Sequence, residues 1–168
     1  MSDLHLRRKW TFRAHGQQVV LIKRPIEKST HVLMKAFLWA LYLPDYPALA
    51  VEVGIGLRYK PDVVGLDAAG APIFWGESGQ VGADKLETLL RRYRRTHFAF
   101  AKWETRLDPL AATVAAIAQP ARRSAPIDLI CFSPDSAERF IAADGTISLS
   151  HADVEWRRIR SQELGARS

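Results

Sequence analysis

Hydrophobic and polar positions alternate in blocks along the chain, and the period of each block predicts an element. Near the N-terminus, Trp10 and Phe12 alternate with polar residues, and an apolar run at 19–22 follows after a His-Gly pair. A two-residue period on either side of a glycine turn is typical of a β-hairpin. The chain is therefore predicted to begin with two strands within residues 8–24.

A long apolar segment follows and predicts a buried helix. Residues 27–41 come after Pro25 and are apolar almost throughout, with His31 and Lys35 among the few polar positions. Proline is favoured at a helix start, and a helix that is apolar all round belongs in a core. Glu27 would lie in the first turn, where the helix dipole favours an anion. A lone histidine such as His31 is more often a surface or packing residue than a ligand.

The centre of the chain is predicted to fold as strand, tight turn, strand, short loop and helix. Two apolar runs of strand length flank the turn sequence Asp-Ala-Ala-Gly-Ala-Pro at 67–72, and a stripe of 3.6-residue period follows. Symmetric closure of the turn pairs Leu66 with Ile73 and Val64 with Trp75. One face of this hairpin is therefore expected to be apolar as far as its open end.

Two carboxylates occupy that open end, because the same pairing places Asp62 opposite Glu77. Like charges that face each other repel, and a half-buried pair would share a proton unless a cation lies between them. Hard oxygen ligands with open positions suit Mg²⁺ or Mn²⁺ that carries water to a phosphate. The residues alone equally allow Asp62 to be a turn residue after Pro61 and Glu77 to be a solvated strand end.

The remaining patterns complete a mixed α/β domain. Strands are expected within 48–60, at 97–103 and at 127–132, and helices at 84–93, 109–118 and 135–141. From residue 27 to 103 the order is helix, strand, strand, strand, helix, strand. Residues 120–126 are the best linker candidate, and the polar segment 157–168 is expected to fray.

Four arginines crowd the end of the helix expected at 84–93, namely Arg91, Arg92, Arg94 and Arg95. Cations suit the carboxyl end of the helix dipole, and this accounts for one or two of them. The excess favours a surface that binds a phosphate backbone, and the alternative is a solvated basic face.

Composition limits the class of protein. The chain has 168 residues, 48% of them hydrophobic, which fits one globular domain, and a net charge of +6, which permits a polyanionic partner. Its longest apolar stretch, at 32–43, is interrupted by Lys35 and too short to span a bilayer, so a cytoplasmic location is expected. The single cysteine, Cys131, allows no disulfide framework and lies in an apolar run, which is typical of a small buried side chain.

An Asp that opens one strand and a Glu that ends the next, in this order of elements, resemble the restriction-endonuclease-like PD-(D/E)XK nuclease superfamily. The pair at 61–62, Pro-Asp, reproduces the first half of its motif. Within the superfamily the chain resembles the YaeQ family of bacterial proteins. It has Arg-Pro-Ile-Glu at 24–27 where that family has His-Pro-Ser-Glu, and Phe-Trp-Gly-Glu-Ser-Gly at 74–79 where the family has Trp-Ile-Glu-Leu-Gly. The resemblance implies a single domain, 1–168, with a restriction-endonuclease-like α/β core at about 25–104, an N-terminal β-hairpin and C-terminal αβ additions.

The resemblance also implies an activity, that of a metal-dependent nuclease acting on DNA or RNA with Mg²⁺ or Mn²⁺. By position, Asp62 and Glu77 would be the metal ligands, and Glu27 the helix carboxylate that helps to hold the metal or its water. The basic helix would face the substrate.

One position departs from the motif, because its lysine is expected two residues after the Glu and this chain has Gly79. That lysine stabilises the attacking water and the charge that develops on the phosphoryl oxygens. Lys85 is the first substitute, since the superfamily's lysine can migrate to the following helix; Lys60 and Gln80 are possible accessory residues. The departure keeps open an alternative, a catalytically weak nuclease fold that binds nucleic acid or a protein partner.

Overall fold

The computed structural model describes residues 8–161 and shows a mixed α+β fold. The strands are β1 (Lys9–Ala14), β2 (Gln17–Ile22), β3 (Ala50–Val51), β4 (Val63–Leu66), β5 (Pro72–Ser78), β6 (His97–Trp103), β7 (Ile127–Phe132) and β8 (Glu155–Ile159). The helices are α1 (Ser29–Tyr42), α2 (Ala83–Arg92), α3 (Asp108–Ala121) and α4 (Ser136–Phe140), with a 3₁₀ turn at His151–Asp153. Strands β3 to β8 form one sheet in chain order, and β1 and β2 form a separate hairpin.

The N-terminal hairpin is confirmed. Strands β1 and β2 pair antiparallel, with Trp10 opposite Leu21. Both turn residues, His15 and Gly16, have positive φ angles of 50° and 76°, which is the geometry that matches the twist of a two-residue hairpin. The inward side chains of Trp10, Phe12 and Leu21 are buried in the same core as α1.

Helix α1 packs on one face of the sheet, and α2 and α3 pack on the other. The prediction of a core helix is confirmed, because every residue of α1 from Val32 to its end is buried. The helix begins at Ser29, two residues after its expected start at about Glu27. Glu27 lies in a preceding turn in which its own N–H donates to the Arg24 carbonyl at 3.0 Å.

Strands β4 and β5 form the central hairpin, with Val64 opposite Trp75 as predicted. Leu66 pairs with Pro72 and not with Ile73, because the register shifts between Gly65 and Leu66. Strands β5, β6 and β7 then run parallel, and α2 connects the first two of them. The carboxyl ends of β5 and β6 therefore lie at the same edge of the sheet.

The strand expected within 48–60 is largely wrong, because only Ala50–Val51 pairs with β4. Glu52 and Gly56 adopt positive φ angles of 58° and 75°, and this left-handed backbone cannot continue a strand ladder. The rest of the segment is a loop that leads to Asp62. That loop delivers Glu52 to the same end of the sheet as Glu77.

The expectations for the C-terminal part are also corrected. Pro120 lies inside α3, and Arg123 is buried, so 120–126 is not a linker. Strand β8 pairs with β7, so Arg157 and Arg158 belong to the sheet, and residues 162–168 lie outside the described part of the chain. The sheet thus continues beyond the predicted core at 25–104. Between residues 8 and 161, no helix is long and apolar enough to cross a membrane.

Candidate active site at the carboxyl ends of β5 and β6

The two predicted carboxylates lie together at the edge where β5 ends. The N–H of Asp62 donates to the Gly76 carbonyl at 3.1 Å, and its Oδ2 accepts the Ser78 N–H at 2.8 Å. Glu77 is 5% exposed, and its Oε1 accepts the Trp75 Nε1–H at 2.9 Å. Main-chain hydrogen bonds therefore hold the Asp62 carboxylate beside the strand end that carries Glu77.

The charge on Glu77 is only partly balanced. Burial raises the pKa of Glu77, and the negative charge of Asp62 raises it further, while Trp75 and Lys85 act in the opposite direction. Lys85, in the first turn of α2, places Nζ 3.1 Å from Glu77 Oε1 and 5.3 Å from the centre of the Tyr59 ring. Lys85 is thus the ion-pair partner of Glu77 among the described residues, and a divalent cation between Glu77 and Asp62 would complete the neutralisation.

Three side chains that approach from α1 form the opposite wall. Glu27, His31 and Lys35 are spaced by four residues and lie on one side, although Glu27 precedes the helix. His31 Nδ1 lies 2.8 Å from Glu27 Oε2, and its Nε2 lies 3.6 Å from Asp62 Oδ2. Asp62 raises the pKa of His31, burial lowers it, and Glu27 raises it again, with a net upward shift. His31 therefore links the predicted helix carboxylate to the predicted metal ligand.

Lys35 is a buried cation, 2% exposed, that binds two carboxylates. Its Nζ donates to Glu27 Oε2 at 2.6 Å and to Glu52 Oε1. Burial opposes both charges, but the mutual hydrogen bonds outweigh it, so the pKa of Lys35 is raised and that of Glu27 is lowered. Glu52 reaches Lys35 from a left-handed backbone (φ 58°), a conformation that costs free energy in a residue with a side chain. Glu27 is thus committed to Lys35 and His31.

Lys102, near the end of β6, contacts Gly79, the position at which the nuclease motif has a lysine. Its Nζ donates to the Gly79 carbonyl at 2.7 Å, and burial lowers its pKa. Gly79 itself has a φ of 83°, and its N–H donates to Ala101 at 3.0 Å. An ammonium therefore lies beside the residue that follows Glu77 and Ser78, although a neighbouring strand supplies it.

The other predicted site residues lie farther out. Lys60 and Gln80 are exposed, and within residues 8–161 neither makes a hydrogen bond or ion pair with Asp62 or Glu77. The four arginines are also exposed, at the carboxyl end of α2: Arg91, Arg92, Arg94 and Arg95. Lys85 lies at the amino end of this helix, about 10 Å from Arg92 along the helix axis at 1.5 Å per residue. The structure thus brings Glu27, Asp62, Glu77 and Lys85 into one region and separates the arginines from it.

The donor set fits a hard divalent cation with open coordination positions. Asp62 and Glu77 offer oxygen ligands, and the pKa of Glu77 is raised first by burial and then by the repulsion from Asp62 that such a cation would relieve. The buried Ser78 Oγ beside them has no hydrogen-bond partner among the described residues. Within the same part of the chain, no cluster of three or more His, Cys, Asp or Glu side chains could hold a metal ion. Any cation here would therefore rest on two protein carboxylates, water and substrate.

Sequence reasoning did not assign three contributors to this site. The spacing of Lys35 from Glu27 and His31 was a usable signal, but the helix pattern identified Lys35 only as a polar interruption. Glu52 stands out as an acid in a segment typical of a core strand, but its spacing did not decide whether it faces the site. Lys102 had no signal, since the pairing of parallel strands cannot be counted across a helical connection.

Comparisons with known proteins identify a similar fold but no match in sequence. No protein-family model and no curated protein matches the sequence. The YaeQ protein from Pseudomonas syringae is similar in structure, with a TM-score of 0.57 and 16% identity over 90% of this chain and 92% of that one. The YaeQ protein from Xanthomonas axonopodis pv. citri has a TM-score of 0.53 and 16% identity over 79% of this chain and 76% of that one. The chain therefore has a fold similar to that of YaeQ proteins.

Proposed function

We propose that this chain is a member of the YaeQ family within the PD-(D/E)XK superfamily and a metal-dependent phosphodiesterase that cleaves nucleic acid in the cytoplasm. The observation that carries the proposal is the pair Asp62 and Glu77, in which burial and the neighbouring charge raise the pKa of Glu77. Carboxylates with pKa values perturbed by burial and a charged neighbour cluster at functional sites. The similarity in fold to YaeQ proteins supports the assignment to the family.

The chemistry follows from the residues around this pair. Asp62 and Glu77 would hold Mg²⁺ or Mn²⁺, and the bound ion would supply Lewis acidity for hydrolysis of the phosphodiester. Trp75 and the Ser78 N–H fix one oxygen of each carboxylate. Lys85 balances part of their charge in the free protein and can turn toward the phosphate once the carboxylates bind a cation. His31 keeps Asp62 and Glu27 in place.

Metal binding and cleavage should be measured together. Cleavage of labelled single-stranded DNA, duplex DNA and RNA is followed with Mn²⁺ or Mg²⁺, and Mn²⁺ binding is followed by electron paramagnetic resonance. The variants are Asp62→Asn and Glu77→Gln, with Glu87→Gln as the control, because Glu87 contacts only the surface residue Arg91 among the ion pairs of the described chain.

Wild type and the control should bind Mn²⁺ and cleave at least one substrate, and both site variants should lose Mn²⁺ binding and at least 100-fold in rate. Removal of the metal with EDTA should abolish cleavage. A wild-type protein that binds no divalent cation at millimolar concentration contradicts the proposal. Equal cleavage by all variants would identify a contaminating nuclease.

A second function, a binding protein on a nuclease scaffold, is favoured by the exposed arginines at the end of α2. Arg94 and Arg95 lie beyond the helix and make no described ion pair with a carboxylate. In this case the arginines would carry the affinity for phosphates and the carboxylates would contribute nothing. The salt dependence of nucleic-acid binding distinguishes this function from that of a basic surface that binds no partner.

A further inference from the structure

Lys102 differs from the other lysines of the site in its partners. Lys35 is neutralised by two carboxylates, and Lys85 is paired with Glu77. Lys102 donates to the neutral carbonyl of Gly79, and no carboxylate of the described chain lies within ion-pair distance of it. An ammonium group has three N–H donors, so two remain for a ligand. Among residues 8–161, Lys102 is thus a half-buried cation without a carboxylate partner.

Lys102 and Glu77 project from the same face of the sheet. Strands β5 and β6 are parallel, with Glu77 beside Phe100 and Ser78 beside Ala101. Side chains alternate along a strand, so Lys102 projects from the same face as Phe100 and therefore from the same face as Glu77. Its stem passes the carboxyl end of β5, and its ammonium stops at Gly79.

The missing side chain of Gly79 leaves space on the side of His31 in the α1 wall. A Cβ at this position would meet only His31 Cδ2, at 3.7 Å, within a 4 Å radius. With a φ of 83°, the position also disfavours any residue with a side chain. Gly79 therefore presents its carbonyl to Lys102 and an open Cβ position to His31.

We propose that Lys102 is a catalytic residue that binds a phosphate oxygen of the substrate beside Asp62 and Glu77. The inference rests on the proposed phosphodiesterase function for the nature of the ligand. In this proposal Lys102 on β6 takes the role of the motif lysine that is replaced by Gly79, whereas the sequence had favoured Lys85 for that role. A dianionic carboxylate pair repels a phosphate, and a cation without its own counter-ion is what such a site needs in order to hold the phosphate.

The test separates binding from cleavage. Affinity for a labelled thymidine decanucleotide is measured in Ca²⁺, and its cleavage is measured in Mn²⁺ as a function of pH. The variants are Lys102→Met, Lys102→Arg, Lys85→Met and Asp62→Asn, with Lys9→Met as a charge-matched control on the distant strand β1. Urea denaturation of each variant checks that it is folded.

Lys102→Met should lower the affinity at least tenfold and the cleavage rate at least 100-fold, and Lys102→Arg should restore part of both. The wild-type rate should fall at high pH as Lys102 loses its proton. This limb should move to higher pH in Lys102→Arg and stay in Lys85→Met. Lys9→Met should remain within about twofold of wild type.

Failure of the inference and failure of the proposed function give different results. If wild type cleaves, Asp62→Asn does not, and Lys102→Met stays within threefold of wild type in rate and affinity, the function stands and the role of Lys102 is wrong. If wild type does not cleave but Lys102→Met weakens binding tenfold, the phosphate contact stands and the nuclease function is wrong. If there is no cleavage and Lys102→Met changes no affinity, both are rejected.

Discussion

At the scale of single residues, Lys35 holds two carboxylates of the α1 wall together. It is almost fully buried and holds Glu27 and Glu52, which approach from different segments of the chain. An ion pair of this kind need not stabilise more than apolar residues would, but removal of one partner leaves unpaired charges in a poorly solvated place. The stability of the whole α1 wall therefore depends on this ammonium.

We predict that Lys35→Met lowers the free energy of unfolding by about 3 kcal/mol, near the lower end of the range for a broken buried pair, because Glu52 is partly exposed. Urea denaturation at pH 7 measures the change. The triple variant Glu27→Gln/Lys35→Met/Glu52→Gln should regain part of the loss, since it buries no uncompensated charge. A loss below 1 kcal/mol for Lys35→Met would contradict this account.

His31 should make stability depend on pH. Its pKa is raised in the folded protein, first by Asp62 and then by Glu27 against the effect of burial. A group with a raised folded pKa stabilises the fold fully below its unfolded pKa of about 6.5. This contribution is lost as the pH rises through the raised value.

The free energy of unfolding should therefore fall more between pH 6 and pH 9 in wild type than in His31→Asn, by up to about 1 kcal/mol for this partly exposed group. Denaturation without divalent metal, in EDTA, isolates the effect. An equal pH dependence in the two proteins would show that His31 is not linked to its carboxylate neighbours.

At the scale of elements, the sequence predicts those helices and strands that the local hydrophobic pattern determines. Strands β6 and β7 have the predicted bounds, because each is a short apolar run with clear ends. The hairpin register is right at Val64 and Trp75 and shifts at Gly65, where a bulge leaves no sign in the hydrophobic pattern. The segment 48–60 failed because alternating apolar residues look like a strand even when left-handed positions turn the chain into a loop.

The site was predictable for residues that one element or one hairpin brings together. Asp62 and Glu77 follow from hairpin pairing, and Glu27 from its place beside the core helix. The position of Lys102 depends on how the parallel strands β5 and β6 are aligned. Because α2 connects these strands, their alignment is a property of the whole fold and not of a local turn. The predicted lysine, Lys85, contacts Glu77, but the ammonium beside Gly79 belongs to Lys102, 23 residues after Gly79 in the chain.

The end of α2 gives a prediction at this scale. Arg123 is buried and donates to the carbonyls of Leu90 and Tyr93 at 2.8 Å each and to that of Thr96. These carbonyls lie at and just beyond the carboxyl end of the helix, where backbone acceptors have no partner in the helix itself. Burial lowers the pKa of Arg123 to about 10, so it remains charged at neutral pH.

Arg123→Met should lower the free energy of unfolding by about 3 kcal/mol, because three carbonyls lose a charged donor and at least one is fully buried. Hydrogen exchange should show the loss of protection concentrated at residues 89–96. Arg122→Met, an exposed neighbour, is the control and should change stability by less than about 0.5 kcal/mol. If Arg123→Met were as mild as its control, the end of α2 would not depend on this side chain.

At the scale of the whole molecule, two polar clusters lie at opposite ends of the sheet. The site lies where β5 and β6 end, whereas the fully buried Asp128 lies near the start of β7. Its Oδ2 accepts the Tyr42 hydroxyl at 2.6 Å and lies 2.7 Å from His97 Nε2, and Arg158 Nε lies 2.8 Å from Oδ1. Helix α1 reaches both clusters, with His31 near one end and Tyr42 at the other. One end is thus closed by a satisfied buried network, and the other leaves charge uncompensated for a ligand.

The arginine surface at the carboxyl end of α2 offers cations for phosphates that lie beyond the carboxylate site. Nucleic acid carries one phosphate per about 3.4 Å along each strand, so about three nucleotides span the roughly 10 Å along α2 from Lys85 to Arg92. A strand bound at the carboxylates would then place further phosphates beside Arg94 and Arg95. This geometry favours nucleic acid over a mononucleotide as the partner.

Replacing Arg94 and Arg95 by glutamine should therefore change how nucleic-acid binding responds to salt. Each lost phosphate contact reduces the slope of log K against log salt by about 0.7 to 0.9, so the double variant should lose about 1.5. The control, Arg13→Gln with Arg139→Gln, removes the same charge far along the chain, from β1 and α4. Fluorescence anisotropy with a labelled oligonucleotide in Ca²⁺, from 50 to about 300 mM salt, gives both slopes. Equal slopes in the two double variants would mean that net charge alone attracts nucleic acid and that the end of α2 makes no contact of its own.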